Sequence, residues 1–314
     1  MIVQNILTNH IVDHIYTTLR VSLHSRDPLA NRILDQILTQ PGKGVRPVFM
    51  ALVAELIGGA WESIEKGACV IESVHIASLL HDDVVDGALL RRGTETLNSR
   101  HSDKVSVLFG DHIILRAFTM AHDIPDDAVL TIILEVARRM VRGEIRDVLE
   151  KDCIDENQYL EVIGDKTASL FAGAAELSIV LAGGEDPERK LAHELGEYVG
   201  LSFQIIDDAL DYNGDRVHTG KHLNSDFRAG IMTLPLIYSL RSMPPEEKKR
   251  FLADKHISDG QLKNFVTRRG GIEYAFLKSR EYTEKARSIV ARFGNPAAEE
   301  KFDNFFDMLL SRSA

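Results

Sequence analysis

Residues 79–86 read Leu79-Leu80-His81-Asp82-Asp83-Val84-Val85-Asp86, and residues 204–211 read Gln204-Ile205-Ile206-Asp207-Asp208-Ala209-Leu210-Asp211. Both contain D-D-x-x-D, and both close a long apolar run. Residues four apart share one face of an α-helix. Asp82 with Asp86, and Asp207 with Asp211, therefore form two carboxylate forks. The runs that carry them are too long for strands and apolar nearly all round, which places such helices at the centre of a large bundle. At the aspartate frequency of this chain, one D-D-x-x-D arises by chance about 0.16 times. A single copy could be a solvated helix end; two copies, each behind a bulky apolar pair, call for another explanation. Six carboxylates at the ends of buried helices are costly unless cations lie between them. Hard oxygen ligands of this kind suit Mg²⁺, usually shared with substrate phosphates.

Composition narrows the alternatives. The chain has 314 residues, 44% hydrophobic and 27% charged, with a mean hydropathy of −0.10, which is globular and long enough for a large core. No Pro-, Gly- or Ser-rich linker divides it, so one domain over 1–314 is expected. A net charge of −10 argues against a nucleic-acid surface and makes local basic clusters informative. Cys69 and Cys153 have neither disulfide-framework nor zinc spacing. The first Lys or Arg is Arg20, so the start lacks the basic region of a signal peptide. No uncharged apolar run reaches the ~20 residues of a membrane span. A cytoplasmic location is the expectation.

Helical period dominates the whole chain, and strand-like alternation is nearly absent. The pattern predicts helices over about 5–22, 28–40, 45–58, 62–86, 104–122, 126–151, 156–182 with a break near Gly164, 187–213, 231–242, 245–254, 258–268, 270–292 and 296–311. Punctuation falls at Pro41-Gly42, Gly58-Gly59, Gly183-Gly184 and Pro244-Pro245. The fold class is therefore all-α.

Basic and polar groups accompany the acidic clusters. Gly42-Lys43-Gly44-Val45-Arg46-Pro47 puts two cations at a helix start, where backbone N–H groups and the helix dipole favour anions. By itself it could be a basic surface turn. Arg91-Arg92-Gly93 follows the first cluster, and arginine pairs suit phosphate oxygens. Lys166-Thr167 opens an apolar helical stretch, Gln204 is one turn before Asp208, and Lys221 follows the second cluster. His75 is about two turns before Asp82 and can face the same cavity; His81 reads as structural. Arg138, Arg139 and Arg142 read as a solvated helix face without a role.

With these segments in place, the chain resembles the trans (all-E) isoprenyl diphosphate synthases, or polyprenyl synthetases. The ordered matches run from Gly42 to Leu240: G-K-G-V-R-P, E-S-V-H-I-A-S-L-L-H-D-D-V-V-D, L-R-R-G, the F-G-D of 109–111, the R-G-E of 142–144, D-K-T-A-S-L-F, F-Q-I-I-D-D-A-L-D-Y and G-K-H-L-N-S-D-F-R-A-G-I-M-T-L-P-L-I. The resemblance implies a helical bundle around a deep central cavity, a homodimer, and about three Mg²⁺ ions per site bridging the clusters to an allylic diphosphate. It implies Asp82, Asp83, Asp86, Asp207, Asp208 and Asp211 as metal ligands. It further implies Arg91, Lys166, Gln204 and Lys221 on the allylic diphosphate, with Thr167 close to the carbocation. Lys43, Arg46, His75 and Arg92 would bind the diphosphate of isopentenyl diphosphate. Two positions depart from the family pattern. Gly44 stands where a further basic residue is frequent, and Ile231 stands where a Lys is frequent two residues before T-L-P. Weaker anion affinity, not loss of the site, is expected from the first.

The implied reaction is head-to-tail condensation, with an apolar cavity below the metal site to keep water from a carbocation. Ser78 is one turn below Asp82, Ala77 is beside it, and Val74, then Val70 or Ile71, continue down that face for about 18 Å. No aromatic residue lies on it. Small Ala77 and Ser78 resemble long-chain members, so a hexaprenyl-to-octaprenyl product is expected, its floor supplied by a neighbouring helix such as 126–151. Alternatives are a short- or medium-chain (geranylgeranyl) synthase, a subunit that needs a partner, and a class I terpene cyclase. The intact second D-D-x-x-D argues against the cyclase. A long product would also require transient membrane contact for release.

Overall fold

Apolar positions recur at helical spacing between glycine and proline stops, and the structure follows them. The computed structural model describes residues 2–39, 41–91, 93–149, 155–213, 227, 230–254 and 257–311. The helices are α1 (Ile2–Leu23), α2 (Pro28–Leu38), α3 (Val45–Glu55), α4 (Trp61–Val85), α5 (Leu97–Arg100), α6 (Asp103–His122), α7 (Asp127–Leu149), α8 (Glu156–Ile163), α9 (Ser169–Leu181), α10 (Asp186–Asn213), α11 (Leu234–Leu240), α12 (Pro245–Ala253), α13 (Asp259–Arg268), α14 (Gly271–Arg292) and α15 (Pro296–Ser311). The break near Gly164 is a π-helical turn, Gly164–Ala168, between α8 and α9. Helix starts carry the side chains that satisfy their first N–H groups. Asp27 caps α2 ahead of Pro28, Asp155 caps α8, and Ser258 with Gln261 makes a capping box on α13.

Two features escape a helical reading. Leu90–Arg91 (β1) and Thr94–Glu95 (β2) form a short antiparallel pair, turning at Gly93 with φ 78. It is too short for an alternating pattern to register. The segment expected over 231–242 is helical only from Leu234 to Leu240. Pro235 lies in its first turn, where a missing N–H breaks no bond.

Helix α9 is enclosed along its first two turns. Every residue from Ser169 to Ala175 is buried, because Ala172, Gly173, Ala174 and Ala175 let neighbours close in on all sides. Leu170, Ala174 and Leu177 join an aliphatic core with α1, α2, α4, α6 and α7. Phe171, Ala175 and Ile179 join a second core with Phe49 of α3 and Phe302, Phe305 and Phe306 of α15. Phe49 contacts Phe171 edge-on, with centroids 5.7 Å apart. Removing a ring of this kind typically costs about 3–5 kcal/mol. The beginning of α10 is amphipathic, since Asp186, Glu188, Arg189 and Lys190 cluster there; only its second half is enclosed. Among the described residues no helix is long and apolar enough to cross a membrane.

Candidate active site

Asp82 and Asp86 stand on one side of the end of α4. Asp82 is half-buried and Asp86 exposed. Burial, reinforced by the carboxylate of Glu144 on α7, pushes the Asp82 carboxyl up to about 7, with Lys166 and Arg91 pulling it down. Asp83 is different. It is buried, and Arg91 Nε donates to its Oδ1 at 2.8 Å. Its backbone carbonyl accepts from Asn98 Nδ2 at 3.2 Å and from the Ala88 amide at 2.9 Å. The central aspartate of the first cluster thus ties the β1–β2 arm to the end of α4. His81 turns away toward α6, with Nε2 3.3 Å from the Val107 carbonyl and 3.4 Å from Asp111, as a structural residue would.

Opposite Asp82 is the π turn. Lys166 Nζ is 2.6 Å from Asp147 and 2.8 Å from Glu144. Burial disfavours its charge, but Asp147 and Glu144 outweigh burial and hold the ammonium above the usual lysine range. Glycine makes room for the turn on both sides. A Cβ on Gly143 would be 2.5 Å from the Lys166 backbone N, and one on Gly200 would be 2.4 Å from the Ala168 Cα.

Asp165 anchors the same turn. It accepts from Arg139 Nε at 3.1 Å and from Arg142 Nη2 at 2.6 Å. Burial favours the neutral acid, but Arg142 and Arg139 outweigh it and keep the carboxyl below the usual range. Arg139 also donates to the Gly164 carbonyl at 3.0 Å and pairs with Glu197 of α10. The expectation of a solvated arginine face does not hold for Arg139, which is drawn in between Asp165 and Glu197; Arg142 is exposed as expected but pairs with Asp165. Arg138, paired with Glu135, is exposed as well.

Thr167 Oγ1 donates to Gln204 Oε1 at 2.8 Å, and Gln204 Nε2 donates to Asp208 Oδ1 at 2.6 Å. The second oxygen of Asp208 accepts from the Tyr159 hydroxyl of α8 at 2.7 Å. Asp208 is buried, whereas Asp207 and Asp211 are half-buried. Both clusters have the same division: the central aspartate is buried and held by protein hydrogen bonds, and the two outer aspartates are less buried. Lys166 acts electrostatically on Asp82, and its chain neighbour Thr167 connects through Gln204 to Asp208.

On the other side of α4 a cavity is lined by Gly42, His75, Leu79, Asp83 and Arg91, among others. Lys43 is exposed and Arg46 half-buried at the start of α3, with the Arg46 guanidinium 4.8 Å from the Phe171 ring centroid. Arg91 lies on the same cavity as His75. Arg92 and Lys221 lie outside the described residues.

Comparison with known sequences decides what this arrangement belongs to. A sequence profile described as Polyprenyl synthetase matches residues 27–267. The chain belongs to the polyprenyl synthetase family. It is a prenyltransferase of the polyprenyl diphosphate synthase class. Octaprenyl diphosphate synthase of Escherichia coli strain K12 is 38% identical over 228 residues, covering 72% of this chain and 70% of that protein. Heptaprenyl diphosphate synthase component 2 of Geobacillus stearothermophilus is 32% identical over 84% of this chain and 83% of that one. A crystal structure of polyprenyl synthase from Caulobacter crescentus, complexed with calcium and isoprenyl diphosphate, superposes with a TM-score of 0.90 at 28% identity, covering 98% of this chain and 96% of that one.

For a polyprenyl synthetase, the face below Asp82 is of interest. Ser78 is half-buried, with its hydroxyl turned to the His75 carbonyl at 2.9 Å. Val74 and Ala77 are each 2% exposed and lie in the aliphatic core, with Ile113 and Ala117 of α6 and Ile132, Ile133 and Val136 of α7. Among the described residues its fully enclosed members are aliphatic or small, and Phe109 and Phe118 pack at its edge. Sequence reasoning assigned no role to Tyr159, Glu144, Asp147, Arg139 or Asp165. The R-G-E of 142–144 and the D-K-T-A-S-L-F that begins at Asp165 were the signals, and Gly143 marks the close approach of the π turn.

Proposed function

We propose that the chain condenses isopentenyl diphosphate head-to-tail onto an allylic diphosphate such as farnesyl or geranylgeranyl diphosphate, giving a long all-trans polyprenyl diphosphate of hexaprenyl to octaprenyl length. The observation that carries this reading is the link between the two acidic clusters through Lys166 and Thr167. It associates a lysine ammonium with Asp82 of the first cluster and a hydroxyl, through Gln204, with Asp208 of the second, a combination that suits a diphosphate.

The donor set fits Mg²⁺. Asp82 is held up to about 7 by burial and by Glu144, a carboxylate that a divalent cation would stabilise. Among the described residues no three His, Cys, Asp or Glu side chains converge on one point. Each wall would therefore hold Mg²⁺ only with oxygens from substrate and water, as this ion prefers. Asp82 and Asp86 on one side, and Asp207 and Asp211 on the other, are the proposed ligands. Asp83 and Asp208, committed to Arg91 and to Tyr159 with Gln204, act by holding those partners. When bound, the ion neutralises the diphosphate and serves as a Lewis acid toward the leaving group. A calcium ion and isoprenyl diphosphate in the similar Caulobacter crescentus structure support the same pairing here.

Lys166 and Arg91 take up charge as the allylic C–O bond breaks and pyrophosphate leaves with the electron pair. Thr167, its hydroxyl held by Gln204, would orient the developing cation. The double bond of isopentenyl diphosphate, held by Lys43, Arg46 and His75, forms the new C–C bond. The proton lost from the adjacent carbon goes to the departing pyrophosphate. The aliphatic face below Ser78 excludes water and receives the chain. Ser78→Phe should shorten the product; an unchanged product would remove Ser78 from the pocket.

Similarity to a component 2 favours one second reading, in which a partner chain is needed for full activity. The first test is incorporation of labelled isopentenyl diphosphate by the lone chain, with and without Mg²⁺, and in Asp82→Asn and Asp207→Asn. Each variant should lose about a thousandfold or more in turnover while remaining folded. Wild-type turnover in either variant rules out the metal assignment. Activity that returns only on adding a second chain establishes the partner reading.

A further inference from the structure

The loop that opens α3 is held by the N-terminal helix. The Tyr16 hydroxyl of α1 accepts from the Gly42 amide at 2.9 Å and donates to Glu72 Oε1 at 2.9 Å. Glu72 is 2% exposed and precedes His75 by about one turn of α4. Burying a carboxylate is costly unless hydrogen bonds hold it, and here the bond leads to the first backbone amide of the G-K-G-V-R-P segment. Two residues on, Gly44 is buried and left-handed, with φ 60, and a Cβ there would be 2.2 Å from Val12 Cγ2. Helix α1 therefore grips the loop at Gly42 and again at Gly44, and no side chain fits at position 44. Tyr16, Gly42, Glu72, His75, Asp83 and Arg91 share one cavity.

We propose that Tyr16 and Glu72 are positioning residues for the isopentenyl diphosphate. They preset the backbone of the Gly42–Arg46 loop, so that Lys43 and Arg46 meet the diphosphate without first being ordered. The packing of α1 thus supplies by rigidity what a further basic residue at position 44 would supply by charge. A preset site spares the ordering cost of binding, and its loss falls on the ligand held there, not on the chemical step. The inference rests on the reading of this loop as the isopentenyl diphosphate site.

The test is steady-state kinetics with isopentenyl diphosphate and farnesyl diphosphate varied separately, in Tyr16→Phe, Glu72→Gln, the double variant and Arg46→Ala, with thermal midpoints alongside. Tyr16→Phe should raise KM for isopentenyl diphosphate about fivefold to tenfold. Its kcat and its KM for farnesyl diphosphate should stay within about twofold. Glu72→Gln keeps an acceptor for the Tyr16 hydroxyl and should have a smaller effect. The double variant should be no worse than Tyr16→Phe, because the two act as one unit. Equal changes in both KM values, or a lowered thermal midpoint with neither KM changed, would make the network merely structural and overturn the proposal. An unchanged KM for isopentenyl diphosphate in Tyr16→Phe, beside a raised one in Arg46→Ala, overturns it while sparing the loop assignment. If Arg46→Ala also leaves that KM unmoved, the loop assignment itself fails and the proposal falls with it.

Discussion

Gly143 lacks a side chain because the Lys166 backbone leaves no room for one. Gly143→Ala should push the π turn off α7, costing about 1–3 kcal/mol of stability and lowering turnover; thermal denaturation and the incorporation assay read both. Tyr159→Phe removes one hydrogen bond from the buried Asp208. That should cost about 1–3 kcal/mol and lower turnover, through the Gln204 and Thr167 that depend on Asp208, with circular dichroism unchanged. Helical spacing alone placed Asp82 with Asp86 and Asp207 with Asp211. It also put Gln204 one turn before Asp208, where the two hydrogen-bond, but was silent on Arg91 and Tyr159, the partners of Asp83 and Asp208 that come from other elements. Arg139 looked solvated for the same reason: its acceptor Asp165 is 26 residues away in sequence.

Among the elements, α9 and α10 are clamped by charge as well as by packing. His193 of α10 lies 3.0 Å from Glu176 of α9 and 3.6 Å from Glu197, with Arg189 also on Glu176 and Arg139 on Glu197. The hydrogen bond to Glu176 and the nearby Glu197 carboxylate raise the imidazole from 6.5 to about 9. A folded-state pKa raised above the unfolded one gives stability that is complete below pH 6.5 and disappears as pH rises through about 9. The thermal midpoint should therefore fall across that window in the wild type and change less in His193→Gln. A wild-type midpoint as flat as the variant's would show that this clamp contributes nothing. Helix identities were legible because apolar period and caps agree along the chain. The π turn was legible only as a break, since i→i+5 bonding leaves no composition signature. The two-residue strands were too short to show any period.

At the scale of the molecule, α9 packs against both α4 and α10, the helices that carry the two acidic clusters, and its small residues permit that close approach. Composition and motif order carried the all-α class and the family. They did not show that α9 is buried all round from Ser169 to Ala175, because burial from all sides depends on partners the sequence does not pair. The central claim is that this enclosure makes a long all-trans chain. The most direct measurement is to incubate the chain with isopentenyl diphosphate, farnesyl diphosphate and Mg²⁺ and to resolve the dephosphorylated products by length. A magnesium-dependent ladder ending between hexaprenyl and octaprenyl is the predicted result. A product that stops at geranylgeranyl, or a cyclised hydrocarbon in place of a diphosphate, would contradict it.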